Sequence, residues 1–158
     1  MTLYESYITG DDADGDVYGD DWKAQTITPD ETHTIRKVRL KLAREGTEPQ
    51  TLTVSIKAVD VGGDPTAGDL ASGTLDTDNL SDTAVWYDIS FGAGVELTAA
   101  TQYAIVTRQD GAYADRVYWR NDSTSASYDG GVFVMSDDAG TTWVQLATDD
   151  FMFEDWGS

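Results

Sequence analysis

Along most of this chain apolar side chains return at every second position, and turn-forming residues interrupt them every eight to twelve or so, a pattern that suits half-buried β-strands. Val38, Leu40 and Leu42 alternate with Arg39, Lys41 and Ala43, and Leu52, Val54, Ile56 and Ala58 alternate with Thr53, Ser55 and Lys57. Between the two runs lies segment 44–50, with Gly46 and Pro49, so the expectation is an antiparallel hairpin. Further strands are expected at 22–28, 86–91, 103–108, 117–120, 132–136, 142–146 and 151–156.

That makes about nine strands, and no segment keeps a helical period for three turns; residues 69–72, after Pro65, offer at most one helical turn. The expected fold is all-β, an antiparallel β-sandwich of jelly-roll type. No linker or repeat divides the chain. It reads as one sandwich domain, residues 22–158, preceded by a polar acidic extension, residues 1–21.

Aspartate dominates the polar positions: 23 Asp stand against 6 Glu, 4 Lys and 6 Arg, for a net charge of -19 on a chain without cysteine. Most of the carboxylates fall between the apolar runs, which leaves the strands free to pack. The acidity excludes a nucleic-acid partner, because phosphate binding relies on clustered Lys and Arg and the ten here are scattered. Without cysteine there is no thiol catalysis, disulfide or Cys-based zinc site. No run approaches the ~20 apolar residues of a membrane helix, and the N-terminus lacks the basic-then-apolar layout of a signal, so the expectation is a soluble chain made without export. Low Lys with excess acid also fits a surface that stays hydrated in concentrated salt, as in a halophilic host or its virus; chance acidity is the alternative.

Three motifs carry possible chemistry. Asp12, Asp14 and Asp16 have the i, i+2, i+4 spacing by which a loop supplies oxygens to calcium, the one cofactor considered. An EF-hand would need Gly where Val17 stands and Glu where Lys23 stands, so a solvated acidic loop is the competing reading. Residues 136–143, SDDAGTTW, match the S-x-D-x-G-x-T-W pattern and so resemble the Asp-box of sialidases and related propellers. There the motif is a structural hairpin turn, which implies that Asp138 accepts hydrogen bonds, Gly140 takes positive φ and Trp143 packs beneath. Finally Tyr113, Tyr118, Trp119, Arg120 and Tyr128 form a candidate ligand-binding set, since sugars pair flat aromatic rings with a few polar groups; core packing is the competing reading. Alternation within 118–120 requires a ring or the guanidinium on the outer face. His33, the only histidine, has no nucleophile partner in sequence, and the expectation is a protein without enzymatic activity.

The order of the segments AQTITPDETHTIRKVRLKLAREG, TLTVSIKAVDVGGDPTAGDLASGTLD, WYDISFGAGVELTAATQYAIVTR, SDDAGTTW and DFMFEDWG resembles small jelly-roll modules of surface-anchored and virus-like proteins, the choice-of-anchor domains. That resemblance implies a lectin-like sandwich with a role in adhesion or virion assembly, and no particular site. The resulting expectation is a virion-surface module of a tailed virus, a capsid decoration, turret or tail-fibre domain. Its partners would be other virion proteins, a surface glycan or a second copy of itself. The alternative is a carbohydrate-binding module of a secreted or cell-surface protein, located outside the cell.

Overall fold

The computed structural model describes residues 1–158 and contains thirteen strands in two antiparallel sheets packed face to face, with only two one-turn 3-10 helices, Thr77–Asn79 and Tyr113–Asp115. The strands are β1 (Thr2–Tyr7), β2 (Ala13–Val17), β3 (Trp22–Ile27), β4 (His33–Arg44), β5 (Thr51–Val59), β6 (Pro65–Asp76), β7 (Val85–Leu97), β8 (Tyr103–Arg108), β9 (Val117–Asp122), β10 (Phe133–Ser136), β11 (Val144–Leu146), β12 (Asp150–Phe151) and β13 (Phe153–Gly157). No helix is long and apolar enough to cross a membrane.

The larger sheet is organised by β4. One edge of β4 pairs with β7; the other pairs with β13 up to Leu40 and with β9 from Leu42 onward. Beyond these, β1 pairs with β13, while β2 and β12 pair with β9. The smaller sheet runs β11-β10-β3-β8-β5-β6. The antiparallel sandwich expected from the alternating pattern is therefore what the chain forms.

Its pairing differs from the sequence expectation. Segments 38–43 and 52–58 do not form a hairpin: β4 belongs to the larger sheet and β5 to the smaller, so the chain crosses between sheets at 45–50. Their apolar faces meet across the core instead, with Leu40, Leu42, Leu52, Val54 and Ile56 all inaccessible to solvent. Alternation says that one face is buried. It does not say whether the partner lies alongside or opposite.

Residues 69–72 are not a helical turn but the middle of β6, an edge strand whose side chains are mostly exposed. The first 21 residues, expected as an extension, supply β1 and β2 to the larger sheet. Gly15 makes the β2 pairing possible, since a Cβ there would come within 2.6 Å of the Phe151 ring. Aromatic rings tie the two sheets together: Trp119 of β9 stacks on Phe151 at 4.1 Å, and Phe151 stacks on Phe133 of β10 at 4.3 Å.

The 136–143 segment forms the expected hairpin turn between β10 and β11. Asp138 accepts from Thr142 N (2.8 Å), Thr142 Oγ1 (2.6 Å) and Ser136 Oγ (2.8 Å). These bonds, the Thr142 hydroxyl first, hold its carboxyl down at about 2. Gly140 has φ +81°, and any Cβ there would press on the Trp22 ring at 2.7 Å.

Candidate functional site

Alternation along β9 sends Trp119 inward and Tyr118 and Arg120 outward. On the outer face, the antiparallel register sets Asp14 of β2 directly opposite Arg120, a cross-strand pair of opposite charge, and Asp16 opposite Tyr118. Arg120 bridges two carboxylates, Asp11 at 2.5 Å and Asp14 at 2.8 Å, and Asp11 also binds Lys41 of β4. Burial alone would raise the Asp11 pKa, but the hydrogen bonds from Lys41 and Arg120 outweigh it and hold the carboxyl below its ordinary value.

Next along the face, Arg116 lies between two tyrosine rings, 4.0 Å from the Tyr113 centroid and 4.9 Å from that of Tyr118. Its guanidinium reaches Glu45 at 3.2 Å and the Tyr118 hydroxyl at 2.6 Å, and it stands 3.8 Å from Asp16. The hydrogen bond between Tyr118 and Glu45, with burial adding to it, pushes the phenol up to about 12. Asp16 is raised, because burial outweighs the attraction of Arg116 and Lys23. Tyr18 extends the row by meeting Tyr113 edge-on at 5.1 Å.

Two depressions open on this face and share Tyr118 and Asp82. One, of about 620 Å³, is bounded by Arg44, Glu45, Thr47 and Leu80. The other, of about 430 Å³, is bounded by Asp11, Asp14, Lys41 and Arg120. Chemically the face offers aromatic surface, guanidinium donors and carboxylate acceptors that are already paired with cations. Such groups suit hydrogen bonding to hydroxyls and polar protein groups.

Of the five residues expected to bind ligand, the structure brings Tyr113, Tyr118 and Arg120 onto this one face. Trp119 is not part of it. Its ring is fully buried in the core and its Nε1 donates to the Met152 carbonyl at 2.9 Å, so a ligand cannot reach it. Tyr128 lines a separate depression with Glu5, Tyr7 and Asp30, packs on Phe153 and donates to Glu5 at 3.0 Å. Burial, then the Glu5 charge, raises its pKa strongly. Arg116, Glu45 and Tyr18 were not among the expected site residues. Arg116 and Tyr18 had a signal, each lying two positions from a residue of the face, Tyr118 and Asp16 respectively; Glu45 had none.

Asp12, Asp14 and Asp16 do not curl around a common centre. Asp12 caps Ser123, accepting from its N at 2.8 Å and its Oγ at 3.0 Å, while Asp14 and Asp16 lie along an extended strand toward different arginines. No group of three or more His, Cys, Asp or Glu side chains is arranged to hold a metal ion.

No protein-family model matches the chain, and none of the curated proteins is significantly similar to it. The chain forms an antiparallel β-sandwich of jelly-roll type whose larger sheet carries a charge-paired, tyrosine-rich outer face.

Proposed function

We propose that this protein is a non-enzymatic adhesion module of an assembled surface, working in concentrated salt. Its setting in this reading is the virion of a tailed virus, as a capsid decoration, turret or tail-fibre domain. The observation that carries it is the layout of charge. Eight of the ten basic residues are engaged in salt bridges, Lys37, Arg39, Lys41, Arg44, Lys57, Arg108, Arg116 and Arg120, which leaves a large excess of unpaired carboxylates facing solvent. Such a surface stays hydrated in salt, and salt screens its repulsion.

Within that surface the β2–β9–β4 face is already ordered by its own ion pairs. A contact made through it would lose little side-chain freedom, and Tyr and Arg are the residues enriched at interfaces. A second reading, a carbohydrate-binding module of a secreted or cell-surface protein, is favoured by the Tyr118 ring, which lines two open depressions, with Tyr113 on the far side of Arg116.

Light scattering on a sizing column and a glycan array, both run at low and molar salt, test these readings. Self-association or glycan retention that is lost in the Tyr113→Ala, Tyr118→Ala double variant supports a contact role for the face. A monomer at every salt concentration with a flat array overturns it.

A further inference from the structure

Ala24, Ala104, Val106 and Val134 form a fully buried apolar cluster separate from the main core, and Trp22, Val59, Val132 and Trp143 pack against it. It lies on the outer face of the smaller sheet, because the alternate residues Ile27, Ile105 and Phe133 of the same strands point into the main core. Side chains this small leave the sheet surface low. Two loops overhang it, the Asp138 hairpin and the turn between β5 and β6, and Gln145 joins them by donating to the Gly62 carbonyl at 2.7 Å and to Asp64 at 3.1 Å. Between the loops is a cleft of about 390 Å³, lined among others by Trp22, Lys57, Thr66, Ala67, Thr141 and Trp143.

We propose that this cleft is a subsite for one ring of a neutral saccharide, distinct from the tyrosine-rich face on the other sheet. Trp22 and Trp143 meet at 6.4 Å with 61° between their planes, which gives the cleft two apolar walls set at an angle, suited to the C–H faces of a sugar. Thr66 and Thr141 also line it; the Thr66 hydroxyl donates to the Ala58 carbonyl at 3.0 Å and keeps its oxygen as an acceptor.

Charge decides between neutral and anionic sugars. Lys57 is held by Asp69 at 2.8 Å and by the Ala67 carbonyl at 2.8 Å, and Arg108 shares Asp69 at 3.1 Å while lying 5.3 Å from the Trp22 ring centre. The two cations near the cleft are thus already engaged, and the net charge of -19 repels carboxylated sugars. The walls are fixed before any ligand arrives, by the Asp138 bonds and by Gly140 against Trp22, so binding does not have to order them.

Saturation-transfer NMR and intrinsic tryptophan fluorescence, with glucose, galactose, mannose, N-acetylglucosamine, cellobiose, lactose and chitobiose as probes, test the assignment. The expected result is saturation transferred to the ring C–H protons of at least one probe, with binding weakened about tenfold by Trp143→Ala and by Ala67→Trp, which fills the exposed rim. Where Trp143→Ala unfolds the hairpin, Ala67→Trp decides. Silence from the whole panel, or binding unchanged in Ala67→Trp, overturns the proposal. Binding lost in Tyr118→Ala and kept in Ala67→Trp belongs to the other sheet, and likewise overturns it.

Discussion

His33 and Asp155 meet in the interior with Nε2 2.8 Å from Oδ2, both side chains wholly inaccessible, joining β4 to β13 at one end of the larger sheet. The His33 Nδ1 lies 2.9 Å from the Glu31 carbonyl and must donate to it, so a single proton is left to sit between Nε2 and the carboxylate. Tyr4 of β1 stacks on the imidazole at 3.8 Å, which ties a third strand to the pair.

This pair gives stability a defined pH dependence. Burial pushes Asp155 up to about 6 against the opposing attraction of His33, with Glu5 adding to the rise. A raised folded-state value means that its stabilisation is fully present below the unfolded value near 4 and is lost as pH rises through about 6. Asp155→Asn is permanently neutral and can still donate to Nε2. The melting temperature of that variant, relative to the wild type, is expected to rise between pH 4 and pH 7; a flat difference would show that Asp155 stays ionised when folded.

Asp155→Ala is a harsher change, leaving the imidazole buried without its partner. The expected cost is about 3–5 kcal/mol, read by urea denaturation.

Trp119 and Tyr118 are neighbours with opposite roles. Trp119→Ala removes the first ring of the stack with Phe151 and Phe133, and is expected to destabilise the fold by about 3–5 kcal/mol. Tyr118→Ala, on the outer face, is expected to cost no more than about 1 kcal/mol. Equal losses in chemical denaturation would contradict the inward-outward assignment.

Asp138→Ala removes the acceptor for the Thr142 amide and hydroxyl. Hydrogen exchange should quicken at Thr142 and Gly140 while the β4 amides stay protected. In the wild type the carboxyl, held at about 2, keeps the hairpin bonded above the ordinary carboxylate range near 4 and releases it only as pH falls through about 2.

Asp12 and Asp14 already accept hydrogen bonds from Ser123 and Arg120. Thermal melting is therefore expected to be the same in EGTA and in calcium. A fall of several degrees on chelation would reveal a cation on these carboxylates.

The alternating pattern determined the all-β class and the inward faces of β4 and β5, because burial on one side of a pleated strand leaves a period of two in the chain itself. The S-x-D-x-G-x-T-W motif carried the 136–143 hairpin, whose bonds are local. Strands without that signature stayed hidden: β6 buries little, and β2 is ADGDV, residues mostly poor in strand propensity that pair because Arg120 and Tyr118 stand opposite. Which residues share a surface was decided only in three dimensions. Trp22 and Trp143 lie 121 positions apart in sequence and 6.4 Å apart as rings, and Trp119 parts from Tyr118 because the core took one face of β9. Alternation is a property of one strand, whereas pairing and packing depend on strands distant in the chain.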